Sequence, residues 1–329
     1  MGATAIAVAF VVFVWWFSTG AVLLLVGLAS RHATALKLAT LATYGAALSG
    51  VAVASRSADD AGAYCAFTCA ILLWGAVEMS LLAGWITGPR PEACPRDCTG
   101  AGRVGYALQA IAYHELILIA TAGLVFAVTA GAPNRLSWWV FAALLLLRLS
   151  AKLNLFLGVR TLNDELLPQQ VRFMRSYFAR KQVNRLFPFS MALAVAATIL
   201  VAAGAAAAET SFDQVAASLL AALIALGALE HGFMVLPIPV VNLWRWSTPS
   251  APLAAASPAL AVLSGGLSAG ERPMQVDAVV VSARQRLEDQ FRQAYRERQA
   301  ALAEAGVMQT SRVGTPGPIN SNRTEGMRS

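Results

Sequence analysis

The sequence predicts an all-α membrane protein: a polytopic bundle of about seven transmembrane helices, followed by a cytoplasmic tail helix. Of its 329 residues, 57% are hydrophobic and only 13% are charged, a composition typical of multi-pass membrane proteins. The apolar residues fall into runs of about 20, the length that spans a hydrocarbon core. Lipid offers the backbone no hydrogen-bond partners, so such runs must be helical. The net charge of +7 is therefore interpreted relative to the membrane, and it does not indicate nucleic-acid binding.

Seven spans are predicted, and the charges of their connections orient them. The connections on one side hold 2 Lys and Arg residues, whereas those on the other side hold 11 before the tail is counted. The positive-inside rule makes the second side cytoplasmic, with an outside N-terminus and a cytoplasmic C-terminus. The predicted spans are residues 3–28, 35–55, 62–87, 105–130, 137–158, 187–208 and 214–245.

The sixth span and the connection before it have distinctive compositions. Small residues at 191–208 let helices approach closely, so this span is expected to serve packing. The preceding connection, residues 161–190, mixes arginines with apolar residues. It either lies along the interface against anionic membrane lipid or forms a solvated loop. Cys94 and Cys98 fall on the predicted cytoplasmic side, where a disulfide is not expected.

The chain divides into four parts by composition. The transmembrane domain is predicted over residues 1–246, and Pro237 and Pro239 should kink or unwind its last span. Residues 247–273 are rich in Ala, Ser, Gly and Pro, which predicts a flexible linker. Residues 274–305 have good helix formers and predict a cytoplasmic helix, and residues 306–329 predict a disordered tail.

Ionisable residues inside the spans are the strongest functional signal. Such groups are costly at membrane depth and usually face the bundle interior. Counting from the span ends places most of them in the cytoplasmic half of the membrane, on the third, fourth and seventh spans. The set consists of three glutamates and two histidines: Glu78, His114, Glu115, Glu230 and His231.

Several chemistries are compatible with this polar layer. His114 and His231 are candidate axial ligands for haem iron or for the magnesium of a chlorophyll-type pigment, with Trp74 stacking on the ligand. The three glutamates would then orient the imidazoles or bind a second ion. Alternatively, all five residues ligate a di-metal centre, or they form a proton or solute pathway. The plainer interpretation is interhelical hydrogen bonding alone.

Two basic residues of the fifth span, Arg148 and Lys152, have two open interpretations. Long basic side chains near a helix end can extend to the membrane interface. Alternatively, these two neutralise the glutamates of the polar layer.

Several short motifs resemble the PuhE family of photosynthetic complex assembly proteins of purple phototrophic bacteria. They lie within residues 1–246, whereas the linker and tail are peculiar to this chain. The residues that carry the resemblance are Trp74, Gly75 and Glu78 in LLWGAVEMS, Tyr113, His114 and Glu115 in YHELILIA, ELLP at 165–168, SYF at 176–178, NRLFPFS at 184–190, EHGFMVLPIP at 230–239, and Leu243 and Trp244.

The resemblance implies a multi-pass protein of the bacterial inner, or intracytoplasmic, membrane. It implies a role in building the reaction centre and light-harvesting complexes and in modulating bacteriochlorophyll supply. The implied partners are subunits of those complexes and pigment-synthesis proteins. We therefore expect a non-enzymatic assembly or pigment-handling factor, with a membrane oxidoreductase that uses a haem or di-metal centre, or a transporter of a pigment precursor or ion, as the alternatives.

Overall fold

The computed structural model describes residues 2–29, 31–95, 98–162, 164–236, 238 and 240–247. Within these residues the regular structure is helical, apart from an isolated bridge between Val159 and Arg180. Among the described residues, seven helices are long and apolar enough to cross a membrane, which confirms a polytopic helical bundle. They are α1 (Gly2–Leu28), α2 (Ala33–Ala54), α3 (Asp60–Leu82), α4 (Gly100–Thr129), α5 (Leu136–Leu157), α6 (Phe187–Ala206) and α7 (Ser211–Phe233).

The connections meet at the two ends of the bundle in the predicted alternation. At one end, here called the arginine-rich end, Arg103 donates to the carbonyl oxygens of Phe156 at 2.9 Å and Tyr177 at 2.6 Å. These contacts join the start of α4 to the α5–α6 connection. At the opposite end, the Asn134 side chain donates to the carbonyl oxygens of Ala54, Ser57 and Gly62. Backbone carbonyl groups near the helix ends and in the connections thereby obtain additional partners within the protein.

Helices α3 and α7 form the centre of the bundle, and α6 lies at its edge. Phe67 of α3 and Leu219 of α7 are fully buried in one apolar cluster that also includes residues of α1 and α5. Helix α6 packs chiefly along α7, and its Leu193 and Leu200 remain exposed. Because α6 contributes mostly alanine to that contact, the two helices approach closely, as expected for small residues.

Helix α3 ends at Leu82, five residues earlier than predicted. Gly84 adopts φ 73°, a left-handed conformation that favours glycine. Its amide donates to the carbonyl oxygen of Leu81, and the amide of Trp85 donates to that of Ser80. These two bonds form the hydrogen-bond pattern of a Schellman motif, which stops the helix although the apolar sequence continues.

Helix α7 also ends early, at Phe233 rather than near residue 245. A short 3₁₀ helix, Val240–Trp244, follows and packs against α1. The Trp244 indole donates to the carbonyl oxygen of Trp16, and the Trp16 indole donates to that of Leu243, both at 2.9 Å. The last span is therefore interrupted, as predicted. Pro237 and Pro239 lie outside the described residues, as do the predicted linker, tail helix and tail.

The α5–α6 connection contains a 3₁₀ segment, Gln169–Tyr177, whose apolar side faces the protein. Val171 and Tyr177 are buried, whereas Arg172 and Arg175 are exposed or partly so. The Tyr177 hydroxyl donates to the carbonyl oxygen of Glu92 at 2.9 Å. Part of this segment's apolar side is thus covered by the α3–α4 connection. Neither the interfacial segment nor the solvated loop considered from the sequence included this contact.

The expectation about Cys94 and Cys98 was wrong. The two residues are joined by a disulfide. Their Cα atoms lie 6.5 Å apart, within the range that a disulfide requires. The connection between α3 and α4 therefore brings the two thiols together.

Candidate functional site

A cavity of about 260 Å³ lies between the four helices α1, α3, α5 and α7. Its walls are mainly apolar, but three charged residues line it: Glu78 of α3, Arg148 of α5 and Glu230 of α7. Trp15 and Trp74 also line it. Charged groups in an apolar cavity at membrane depth mark this region as the candidate functional site.

Glu78 is the buried centre of this site. Its carboxylate Oε2 contacts the Arg148 guanidinium at 3.2 Å. The other oxygen, Oε1, lies 3.6 Å from Nε2 of His114 and has no hydrogen-bond partner. His114 is itself fully buried, and neither of its ring nitrogens has a hydrogen-bond partner. Two buried polar groups that face each other without a bond are unusual in a folded protein and point to function.

The loop after α3 holds α4 in place at His114. The amide of His114 donates to the carbonyl oxygen of Thr87 at 3.0 Å, and the amide of Arg90 donates to that of Gln109 at 3.2 Å. Gly88 lies between these bonds, where a Cβ atom would collide with the α4 backbone. The absence of a side chain at Gly88 therefore lets the loop approach α4 at the position of His114.

Glu115, the neighbour of His114, belongs to a separate ion pair. Its carboxylate lies 2.5 Å from Nζ of Lys152 on α5. Neither residue lines the cavity. Adjacent positions on a helix point about 100° apart. His114 therefore points toward Glu78, whereas Glu115 points toward Lys152.

Glu230 reaches the cavity from α7. The Trp15 indole donates to its Oε1 at 2.6 Å. This hydrogen bond links α1 to α7 at the cavity wall. Glu230 and Glu78 thus lie on different helices around the cavity that also contains Arg148.

His231 points away from this cavity and is held at both ring nitrogens. Nδ1 lies 2.8 Å from the carbonyl oxygen of Gly227, and Nε2 lies 2.9 Å from the Ser150 hydroxyl. Because a carbonyl only accepts, Nδ1 carries a proton and donates it to the carbonyl oxygen of Gly227. The imidazole bridges α7 and α5, which is the arrangement of a packing residue.

The predicted ligands are therefore distributed over separate contacts. Among the residues that the structure describes, no three His, Cys, Asp or Glu side chains come together in a group that could hold a metal ion. Neither histidine lines the cavity, so axial ligation by His114 or His231 stays a prediction. Trp74 lines the cavity, and its ring contacts Phe141 edge to face at 5.4 Å.

The structure selects one of the two interpretations of the basic residues in α5. Arg148 and Lys152 both pair with glutamates, so they neutralise the polar layer. Trp15 is a site residue that the sequence analysis did not predict. Its position in the middle of α1 was the available signal that it lies at the depth of the site.

The fold and the site together define a class of protein: a multi-pass, seven-helix membrane protein with a charged cavity inside the bundle. The chain belongs to the family described as "Protein of unknown function (DUF3623)", whose model matches residues 1–254. It is 37% identical over 243 residues to the "Uncharacterized 30.4 kDa protein in puhA 5'region" of Rhodobacter capsulatus. That match covers 73% of this chain and 89% of the relative. No solved structure matches the chain.

Proposed function

We propose that this protein is an assembly factor for the photosynthetic complexes of phototrophic bacteria, and that it acts within the membrane. The observation that carries the proposal is the meeting of distant family motifs at one site. The segments with Trp74 and Glu78, with His114, and with Glu230 come from three helices and surround or adjoin the same cavity. The Rhodobacter capsulatus relative is named for its position in the puhA 5′ region. That name supports a role in the same process. The finer assignment to the PuhE family is part of this proposal.

Within this role, the cavity is the proposed site for handling bacteriochlorophyll or modulating its supply. Small-molecule pockets usually measure roughly 300–1,000 Å³, so a cavity of about 260 Å³ does not enclose a whole tetrapyrrole. It suits a polar substituent at the edge of a pigment or its precursor. Arg148 supplies a positive charge for such a group, and Trp15 and Trp74 supply aromatic surface. No chemical conversion is required of these residues, which makes the proposed factor non-enzymatic.

Complementation of a deletion strain tests the assembly role. The host lacking the gene should have less reaction-centre and light-harvesting absorption in its membranes, and the wild-type gene should restore it. Glu78→Gln should restore little, because a neutral amide at this position no longer balances the charge of Arg148. Glu115→Gln is the matched control and should restore wild-type absorption. Unchanged absorption in the deletion strain would overturn the assembly role, and equal restoration by both variants would overturn the site.

The handling of pigment is tested separately on the purified protein. In mild detergent, protein from the phototrophic host should carry a tetrapyrrole absorption band, and Arg148→Gln should reduce that band relative to the protein band. Lys152→Gln is the control and should retain it. Colourless wild-type protein would contradict direct pigment handling, whereas the complementation result would still decide the assembly role.

A further inference from the structure

A second concave surface, here called the α2 groove, lies on the other side of α3 and is separate from the proposed pigment site. It has a volume of about 430 Å³. Lys37, Thr40 and Tyr44 of α2 form one wall, at spacings that place them on one helix face. Ala76 of α3 and Ile117 of α4 also line it. Its volume falls within the range of small-molecule sites.

The two ends of the α2 groove differ in polarity. Lys37 lies near the start of α2, at the arginine-rich end, with its ammonium 5.7 Å from the centre of the Trp85 ring. Lys37 is exposed, and no carboxylate in the described part of the chain pairs with it. Toward the membrane interior, the Tyr44 and Thr121 hydroxyls are hydrogen-bonded at 3.0 Å and connect α2 to α4. The groove thus has a cationic end and an uncharged inner end.

We propose that the α2 groove binds one anionic phospholipid, with the phosphate at Lys37 and an acyl chain between α2 and α4. The segment from Lys37 to Tyr44 rises about 10 Å along the helix, most of one leaflet of a roughly 30 Å hydrocarbon core. A membrane lipid has the same direction: its charged headgroup lies at the interface and its chain points inward. Trp85 lies beside Lys37, at the level that tryptophan prefers in membranes.

Charge complementarity favours an anionic lipid over a neutral one. Negative lipids attract basic residues at the cytoplasmic face of a membrane, which is where the positive-inside rule places Lys37. Lys181, another exposed basic residue at this end, lies in the α5–α6 connection and does not line the groove. Lys181 therefore provides a control for charge without a binding groove.

Native mass spectrometry of the full chain in nanodiscs tests the proposal. The nanodiscs contain phosphatidylcholine, with phosphatidylglycerol added in increasing proportion. Wild-type protein should retain one phosphatidylglycerol after release from the disc. Lys37→Gln should weaken the apparent affinity by about fivefold, the factor that corresponds to about 1 kcal/mol. Lys181→Gln should bind as the wild type does.

A second variant tests the groove without changing charge. Thr40→Phe places a ring in the groove, so the retained phosphatidylglycerol should be lost while Lys37 remains. Binding by Lys37→Gln equal to the wild type, retention by correctly folded Thr40→Phe, or equal retention of phosphatidylcholine would each overturn the proposal. Because Lys37→Gln preserves the α2 backbone and much of the side-chain length, that result decides the matter even if Thr40→Phe does not fold.

Discussion

The two ion pairs on α5 have the same chemistry and different surroundings. Arg148 and Lys152 lie one helical turn apart, and each contacts a glutamate of a neighbouring helix. In the Glu115–Lys152 pair, the ammonium and the carboxylate lie 2.5 Å apart, and neither residue lines the cavity. The Glu78–Arg148 pair borders the cavity and leaves one buried oxygen of Glu78 without a hydrogen bond. The contrast indicates that the first pair holds helices together, whereas the second has capacity left for another group.

The largest expected effect on stability comes from removing Arg148, the cation of the Glu78–Arg148 pair. Arg148→Met leaves the buried Glu78 carboxylate without a charge partner, which should lower the free energy of unfolding by about 3–5 kcal/mol. Lys152→Met, the matched variant one turn away, should cost about 1 kcal/mol, as interhelical polar contacts in membranes do. Thermal unfolding in mild detergent measures both. Equal losses would remove the distinction between the two pairs.

A double-mutant cycle should show that Glu78 and Arg148 are energetically coupled. Adding Glu78→Gln to Arg148→Met removes the stranded charge, so about 1–3 kcal/mol of the lost stability should return. The comparison is between the double variant and the sum of the two single variants in the same unfolding assay. Strict additivity would mean that the two side chains are independent despite their 3.2 Å contact.

Substitution by leucine should affect the stability of the protein differently at the two histidines. His231→Leu removes two hydrogen bonds and should cost about 1–2 kcal/mol of unfolding free energy. His114→Leu removes a buried imidazole whose nitrogens have no hydrogen-bond partner, so stability should change by less than about 0.5 kcal/mol. In the complementation assay, His114→Leu should nevertheless impair the assembly of photosynthetic complexes. A large stability loss for His114→Leu would instead assign it a packing role.

The smallest effect is expected at the α1 side of the cavity. Trp15→Phe keeps an aromatic ring but removes the indole donor to Glu230, which should cost about 0.6 kcal/mol. Trp16→Phe is a control that removes a hydrogen bond to the Leu243 carbonyl oxygen, away from Glu230. Denaturant unfolding with both variants in parallel measures the difference. A Trp15→Phe protein with wild-type stability and wild-type complementation would remove Trp15 from the site.

Most residues of the candidate site could be predicted from the sequence, but the contacts between them could not. The sequence predicted that Glu78, His114 and Glu230 belong to one polar layer inside the membrane, because depth follows from counting residues along a helix. Their mutual contacts depend on the rotation of each helix about its axis, which packing sets. For this reason Glu115 was expected to serve the same site as Glu78, whereas the structure pairs it with Lys152. His231 was likewise expected at the ligand but bridges Ser150 and Gly227.

The ends of α3 and α7 show where hydropathy did not predict the fold. The apolar sequence continues past Leu82 and past Phe233, so hydropathy alone extended both spans. Gly84 ends α3 through a left-handed turn. After α7, the Val240–Trp244 segment packs against α1 instead of extending the helix. Hydropathy reports burial in lipid or protein alike and does not distinguish a helix from a packed turn.

Within the described part of the chain, the number of membrane-spanning helices, their order and the end of the bundle at which each connection lies could all be obtained from the amino-acid sequence. These properties follow from hydrophobic length and from the need to satisfy backbone hydrogen bonds in lipid, which act segment by segment. Tertiary packing alone determined which charges meet, which histidine is held at both nitrogens, and that α1, α3, α5 and α7 enclose a cavity. Those outcomes depend on side chains from distant segments packing together, and no single span contains that information.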